Sequence, residues 1–422
     1  MPKNSSSKEF TLSNNERLNL KNIPLFKFSE AKKITSNFVK FYTFHVGFKK
    51  KREDLLLAVF NVPAPFSAVY SNTSTPSAPI IWDKKNTKDL CKVLIVNAGN
   101  ANAHTGDEGI KNINQYVNEA AFFFNCPVSQ IFVSSTGVIG EQLDPSKIIN
   151  AYSLINKSNQ KDLLSAAKAI MTTDTFSKTI IKKIKINSKE IRIFGFAKGS
   201  GMICPNMGTM LAYIFIEEDI PKNILKKLLL SYLDESFNSI TVDGDTSTSD
   251  TVALFSLSKN KSNKILKLNE QIKIASALKD VMFNLALQVV SDGEGISKLM
   301  SINISGGKNY KQVSSVAFSI ANSPLVKTAI AGEDANWGRV IMAIGKADNK
   351  IDQNKINLKF GSFLVASNGK MNHKINITKL NKYMKKKIIE INVNLGIGEY
   401  KRTVYSSDLT HEYIRINGDY RS

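Results

Sequence analysis

Short apolar runs rich in β-branched residues recur along this chain and alternate with longer segments of helical periodicity. Such runs are typical of buried strands, because branched side chains pack well on a pleated surface. We predict strands at residues 93–96, 131–133, 191–196, 211–216, 252–257, 313–320 and 389–394. The runs follow one another without a regular strand–helix–strand rhythm. The sequence therefore predicts an α+β fold in which helices cover layered sheets.

Three segments between these runs have the periodicity of amphipathic helices. One opens at Pro221, which is favoured in the first turn of a helix. A second spans residues 274–290, and a third begins near Asp334, a residue that can cap a helix N-terminus. The first two are expected to bury one apolar face each, formed by Ile224, Leu225, Leu228 and Leu229 and by Leu278, Val281, Met282 and Leu285.

The chain is strongly basic, with 57 Lys and Arg against 36 Asp and Glu and a formal net charge of +21. An excess of this size can attract nucleic acid or an anionic membrane surface. The lysine runs at 49–51 and 385–387 are short, however, and lack the interleaved aromatic residues of a nucleic-acid platform. We therefore favour a solvated basic surface without a nucleic-acid partner. A nucleic-acid-binding protein stays an alternative that rests on charge alone.

Cysteine usage and the N-terminus bear on the compartment. Cys91, Cys126 and Cys204 lie far apart, and such a sparse, odd set favours a reducing cytoplasm and offers no clustered metal site. Residues 1–22 are polar, so we expect a disordered tail rather than a secretory signal. No stretch approaches the roughly 20 apolar residues that span a bilayer. We expect a cytoplasmic protein with no membrane partner and no metal.

The segment from Ala197 to Leu211, AKGSGMICPNMGTML, combines Gly, Ser and Thr in a way that core packing does not explain. If the Gly208–Thr209 peptide is strained, the Thr209 hydroxyl can attack the Gly208 carbonyl and displace the Thr209 amine, and hydrolysis of the resulting ester then completes the cleavage. That amine can then act as a base for its own hydroxyl. From the spacing alone, a Thr that opens a strand is more often only a good strand former.

Further motifs accompany this segment in a fixed order. They are VNAGNANAHTGDEG, SSTGVIGEQL, MTTDTFSK, ITVDGDTSTSDT, SDGEG, SPLVKTAIAGEDANWGR and the terminal INGDYRS. Together with KGSGMICPNMGTML they resemble the self-cleaving ornithine acetyltransferases of arginine biosynthesis, which are glutamate N-acetyltransferases. The resemblance runs from about Gly47 to the end of the chain. It implies the α+β architecture that this family shares with self-cleaving aminopeptidases.

The resemblance assigns roles to individual residues. Cleavage between Gly208 and Thr209 would give fragments 1–208 and 209–422, so that the half 23–208 keeps the tail 1–22 and the half 209–422 begins with the nucleophile Thr209. Thr136 and Gly137 would form an oxyanion hole for the tetrahedral intermediate. The positions that match substrate contacts are Thr175, Lys198, Thr209, Glu294, Asn417 and Ser422. The chain carries Gly208 where family members usually have Ala, which leaves cleavage efficiency open.

The activity implied is a double displacement in which Thr209 takes the acetyl group of N2-acetylornithine and passes it to glutamate. No cofactor is required, and some family members also use acetyl-CoA as donor, a point that the sequence leaves open. The family also implies two copies of each cleaved half. The alternative is a self-cleaving aminopeptidase or amidohydrolase of the same architecture, which would release the acyl group to water.

Two of the motifs are not expected to be catalytic. The loop VDGDTSTSDT is rich enough in Asp, Ser and Thr to suggest a cation site, but without further clustered carboxylates a hydrogen-bonded loop is favoured. His104 in NAGNANAHTG could act as a general base. The family needs no histidine there, so we interpret His104 as structural.

Overall fold

A computed structural model describes residues 34–155, 160–204, 210–259 and 267–419. The strands in these ranges are β1 (Val39–Phe44), β2 (Leu55–Tyr70), β3 (Leu90–Asn100), β4 (Ile131–Val138), β5 (Gln160–Lys161), β6 (Lys178–Ile186), β7 (Lys189–Lys198), β8 (Leu211–Ile216), β9 (Ile240–Thr241), β10 (Thr251–Ser256), β11 (Leu299–Gly307), β12 (Asn357–Phe360), β13 (Phe363–Ser367), β14 (Lys370–Met371), β15 (Ile388–Asn394) and β16 (Tyr400–Ser407). The α-helices are α1 (Ala78–Asn86), α2 (Gly106–Phe123), α3 (Pro145–Tyr152), α4 (Leu163–Ala169), α5 (Lys222–Leu233), α6 (Leu268–Val290), α7 (Tyr310–Ala321), α8 (Pro324–Ala331), α9 (Trp337–Ala347), α10 (Ile377–Met384) and α11 (His411–Gly418).

The larger sheet is nine-stranded, with the order β4-β3-β2-β10-β8-β7-β6 and with β1 and β5 attached beside β2. Alternate side chains of β2, β3 and β4 enter two different cores, because successive residues of a strand point to opposite faces. Leu57 and Ile95 pack under α1, α2 and α3. Leu94 and Phe132 face the other way, into a core rich in phenylalanine that α4 helps to cover. The sheet is therefore buried on both faces.

The smaller sheet has seven strands in the order β14-β13-β12-β15-β11-β16-β9. Helices α7, α9 and α10 supply most of the helical residues in its core. Helix α6 lies between the two sheets, since its residues join the core of β7, β8 and β10 while Phe283 packs edge-on against Tyr405 of β16 at 5.5 Å between ring centroids. The α+β prediction with helices covering layered sheets is confirmed.

Six of the seven predicted strands are confirmed, but the prediction of a strand at 313–320 is wrong because these residues lie in α7. Val313, Val316, Ala317 and Ile320 are all fully buried, at helical spacings of three and four. The Asn309 side chain caps the helix by accepting a hydrogen bond from the Gln312 N–H at 2.9 Å. Burial of one helical face thus overrides the strand preference of the valines.

The helix predictions are confirmed in type and shifted at their ends. Pro221 is the N-cap of α5 rather than its first residue, and α6 begins at Leu268 rather than at 274. The cap of α9 is Asn336, not Asp334, because the Asn336 side chain accepts the Arg339 N–H at 3.3 Å. Asp334 instead accepts a hydrogen bond from the Asn336 amide at 3.0 Å. The predicted tail at 1–22 lies outside the described residues.

Candidate active site

The oxyanion pair predicted from the sequence lies at the end of β4. Thr136 and Gly137 are the sixth and seventh residues of the strand, rather than following it as expected. Gly137 pairs with Gly99 of β3 just before the register between the strands shifts, and its φ is 133°. A Cβ at Gly137 would lie 2.3 Å from the Gly99 carbonyl carbon. Only glycine therefore allows the backbone to turn here.

Buried asparagines support this strand end from β3. The Ser135 hydroxyl donates to Asn97 Oδ1 at 2.6 Å, and the Asn97 amide donates to the Asn100 carbonyl at 2.8 Å. Asn100 Oδ1 in turn accepts the Asn102 N–H at 2.7 Å. The motif NAGNANAHTG thus fixes the backbone beside Thr136. His104 is exposed and adopts a left-handed φ of 57°, and its structural interpretation stays a prediction.

Lys198 ends β7 and reaches the oxyanion pair. Its Nζ donates to Thr136 Oγ1 at 3.3 Å, and only 6% of the residue is exposed. Burial lowers the pKa of the Lys198 ammonium below its ordinary value, although the Asp174 carboxylate acts in the opposite direction. In the sheet, Lys198 is the partner of Leu211, the first residue of β8. A buried cation therefore stands at the point where the chain returns from the segment containing residues 208 and 209.

Thr175 lies in the loop before β6 and is hydrogen-bonded to Asp292. Its hydroxyl donates to Asp292 Oδ1, and its N–H donates to Asp292 Oδ2 at 2.9 Å. Asp292 also forms an ion pair with the fully buried Lys178, at 2.6 Å. Lys178 pairs at 2.7 Å with Asp174, whose Oδ1 accepts the Gly199 N–H at 2.7 Å. These contacts fasten the MTTDTFSK and SDGEG motifs to the turn after Lys198.

Glu294 is 6% exposed in the turn after α6, where the adjoining Gly295 has a φ of 66°. The Asn417 amide donates to Glu294 Oε2 at 2.7 Å. A Cβ on Gly201 would lie 2.5 Å from the Glu294 carboxyl, so the turn after Lys198 passes directly against this carboxylate. The structure therefore joins Glu294 and Asn417, which are predicted to bind substrate, with the turn that precedes the predicted cleavage site.

The VDGDTSTSDT loop holds the same turn from its other side. Asp243 accepts the N–H groups of Met202 at 2.6 Å and Ile203 at 2.9 Å. This geometry supports the interpretation of a hydrogen-bonded loop. Within the ranges that the structure describes, no group of three or more His, Cys, Asp or Glu side chains is arranged to hold a metal ion.

The structure brings most of the predicted site residues together. Thr136, Gly137 and Lys198 form one contact group, Glu294 and Asn417 form another, and both border the 199–203 turn, with Thr175 tied to them through Asp292. Gly208, Thr209 and Ser422 lie outside the described residues. Asp174, Lys178 and Asp292 also border the site and were not predicted from the sequence. The signal available was the pair Asp174 and Lys178, four residues apart inside MTTDTFSK.

Comparisons with known proteins agree with the motifs. A family model described as the ArgJ family matches residues 40–422. The arginine biosynthesis bifunctional protein ArgJ of Gluconobacter oxydans is 43% identical over 376 residues, covering 88% of each chain, and that of Bradyrhizobium diazoefficiens is 42% identical over 392 residues, covering 91% of this chain and 95% of the relative. A solved structure, the arginine biosynthesis bifunctional protein ArgJ of Bacillus halodurans, is 35% identical with a TM-score of 0.47 and covers 50% of this chain and 100% of that one. The sequence matches confirm the resemblance read from the motifs, and the chain belongs to the ArgJ family.

Proposed function

We propose that this chain is a glutamate N-acetyltransferase of arginine biosynthesis that transfers the acetyl group of N2-acetylornithine to glutamate through Thr209. The observation that carries the proposal is the contact between the buried Lys198 ammonium and Thr136 Oγ1, at 3.3 Å. It brings a cation for an α-carboxylate next to a donor for an oxyanion. Thr209 lies two residues before Leu211, the sheet partner of Lys198.

The active form in this proposal is cleaved between Gly208 and Thr209. The Thr209 hydroxyl adds to the Gly208 carbonyl and the C–N bond breaks, which forms an ester and frees the Thr209 amine. Water then hydrolyses the ester, which frees the Thr209 hydroxyl and leaves Gly208 with a carboxylate. Strands β7 and β8 pair along their whole shared length, from Ile193 with Ile216 to Lys198 with Leu211. Side chains from both sides of the cleavage point share two hydrophobic cores. Cleavage would therefore leave the halves 23–208 and 209–422 packed together.

Acetyl transfer then uses the groups around Lys198. Since Lys198 donates to Thr136 Oγ1, the hydroxyl hydrogen of Thr136 is free to point at a developing oxyanion, beside the Gly137 N–H. Lys198 has further protons for a substrate carboxylate. The Glu294 carboxylate, oriented by Asn417, would accept from the substrate's α-nitrogen, which is an amide N–H in acetylornithine and an amine in glutamate, and Thr175 and Ser422 complete the predicted contacts. Because both amino acids present an α-carboxylate beside an α-nitrogen, one site serves them in turn.

The test of this function is its kinetic scheme. A nucleophile that carries the acetyl group must release ornithine before glutamate enters, so we expect parallel double-reciprocal plots against glutamate at several acetylornithine levels. Quenching after mixing with acetylornithine alone should add one acetyl mass to the 209–422 fragment and none to the other. Intersecting plots, or a label on the first fragment, would exclude Thr209 as the carrier.

The same assay separates the transferase from its alternative. A self-cleaving hydrolase of this architecture would release acetate at the same rate with and without glutamate. Assays with acetyl-CoA in place of acetylornithine decide whether a second donor is used. The cytoplasmic location, the absence of a cofactor and the assembly of two copies of each half are also part of the proposal. Among the described residues, no helix is long and apolar enough to cross a membrane.

The lowered pKa of Lys198 gives the reaction an expected pH dependence. The ammonium is charged below its pKa and neutral above it, so a pKa below the ordinary 10.5 moves the loss of carboxylate binding to a lower pH. We expect kcat/KM for acetylornithine to fall with rising pH before pH 10.5 is reached. Lys198→Arg should remove that decline, because a guanidinium stays charged, whatever the overall level of activity.

The control for this experiment is Lys182→Arg, which changes a half-exposed lysine on β6 in the same way. Its pH profile should match that of the unmodified protein. Other groups that titrate in the alkaline range, such as the Thr209 amine, are present in all three proteins and cancel in the comparison. An identical alkaline decline in the Lys198→Arg variant would show that Lys198 is not the group responsible.

A further inference from the structure

Four charged side chains lie buried beside one another behind the candidate site. Lys178 and Asp174 have fully buried side chains, that of Asp292 is 2% exposed, and Lys198 is 6% exposed. Two carboxylates thus accompany two ammonium groups in this cluster. Buried charges are tolerated only when they are paired and hydrogen-bonded. It therefore matters which ammonium group pairs with which carboxylate.

Lys178 forms an ion pair with each of the two carboxylates. Its Nζ donates to Asp174 Oδ1 at 2.7 Å, to Asp292 Oδ2 at 2.6 Å and to the Phe176 carbonyl at 3.2 Å. An ammonium group has three protons, so every donor of Lys178 is occupied within the protein. Nothing remains for a ligand, and the catalytic scheme proposed above gives Lys178 no task.

Lys198 is left without an ion pair inside the ranges that the structure describes, and its hydrogen bond there is to the neutral Thr136 hydroxyl at 3.3 Å. Asp174 is nevertheless its neighbour, because Asp174 Oδ1 accepts the N–H of Gly199, the next residue in the chain, at 2.7 Å. Asp174 is also the strongest of the negative charges that raise the Lys198 pKa, ahead of Asp250 and Glu294. Asp174 is therefore the internal carboxylate best placed to capture Lys198.

We infer that Lys178 is a positioning residue that occupies Asp174 and so keeps the Lys198 ammonium available for the α-carboxylate of the substrate. This inference rests on the function proposed above, in which Lys198 binds that carboxylate. Without Lys178, the buried Asp174 would need another cation, and Lys198 would turn from Thr136 toward it. The substrate would then compete with an internal carboxylate for the same ammonium group.

The test uses two double variants of equal charge, because Lys178→Met alone would bury two carboxylates against one cation. Lys178→Met/Asp174→Asn removes the competing carboxylate and leaves Asp292. Lys178→Met/Asp292→Asn keeps the competitor. Each Asn retains an oxygen that can accept the backbone N–H now bonded to the Asp, from Gly199 or Thr175. Thermal unfolding and the mass of the two fragments establish that both variants are folded and cleaved.

We expect the Lys178→Met/Asp174→Asn variant to keep KM values for acetylornithine and glutamate close to those of the unmodified protein. The Lys178→Met/Asp292→Asn variant should raise both KM values about tenfold or more, with a smaller change in kcat, since a ligand must displace a buried ion pair. Crystal structures provide a readout that needs no activity. Lys198 Nζ should contact Asp174 in the second variant and Thr136 in the first.

Equal KM values in the two double variants, or a Lys198 that stays on Thr136 in both crystal structures, would overturn the role of Lys178. These outcomes are distinct from a failure of the proposed function. If the unmodified protein transfers no acetyl group, the function is wrong, while the position of Lys198 in the two crystal structures still decides whether Lys178 keeps it from Asp174.

Discussion

The Thr209→Ala variant is expected to remain one full-length chain of 46.7 kDa and to lose acetyl transfer. Both processes use the same hydroxyl, first against the Gly208 carbonyl and then against the acetyl group of the donor. Loss of a covalent nucleophile costs on the order of 10⁴–10⁶ in kcat in the best-studied hydrolases, and we expect a loss of that size here. Intact mass and the transfer assay measure the two effects on one sample.

Thr209→Ser is the matched variant, because it keeps the hydroxyl and removes a methyl group. It should retain part of both cleavage and transfer. Thr75→Ala, at an exposed position, should leave both unchanged. In the unmodified protein, N-terminal sequencing of the second fragment should read Thr-Met-Leu-Ala. An active protein that stays full-length, or a Thr209→Ala variant that is still cleaved, would contradict this mechanism.

The sequence predicts the strands of the larger sheet well because that sheet is buried on both faces. Every residue of β8 is buried, and the strand consists of apolar and aromatic residues, several of which favour strands. Composition gives the wrong element at 313–320, where valine and isoleucine also recur. There the decisive signal is the spacing of Val313, Val316, Ala317 and Ile320, which fits one face of a helix. Periodicity was the better guide than composition in that segment.

The site was predictable residue by residue only through the family motifs. Thr136 and Lys198 are 62 residues apart, and nothing in local sequence relates a strand-end Thr to a strand-end Lys. Four strands separate β4 from β7 in the sheet order, and the two strands meet because side chains of both, such as Phe132 and Phe196, share one hydrophobic core. The pairing of Lys178 with Asp292, 114 residues away, was beyond sequence reasoning because a buried ion pair has no periodic pattern. Lys178 is visible in the MTTDTFSK motif, but lysines are usually solvated, so its burial could not be predicted from the sequence.

Thr136→Ala tests whether the contact between β4 and β7 belongs to the chemistry or only to the architecture. The Thr136 hydroxyl is expected to donate to the oxyanion of each tetrahedral intermediate, and loss of one such donor typically lowers kcat by about 10²–10³, or roughly 3–4 kcal/mol. KM should change much less, because this hydrogen bond strengthens as negative charge develops in the transition state. Steady-state kinetics on the cleaved fraction of the variant give both constants.

Thr136→Ser separates the two explanations, since it restores the hydroxyl without the methyl group. If the hydroxyl acts on the oxyanion, the Ser variant recovers most of the kcat lost in the Ala variant. If Thr136 serves only to hold Lys198 through its 3.3 Å hydrogen bond, Thr136→Ala releases Lys198 and the damage appears in KM for both amino acids instead. A folded, cleaved Thr136→Ala protein with unchanged kcat would remove the hydroxyl from the oxyanion hole and leave the Gly137 N–H as its donor from β4.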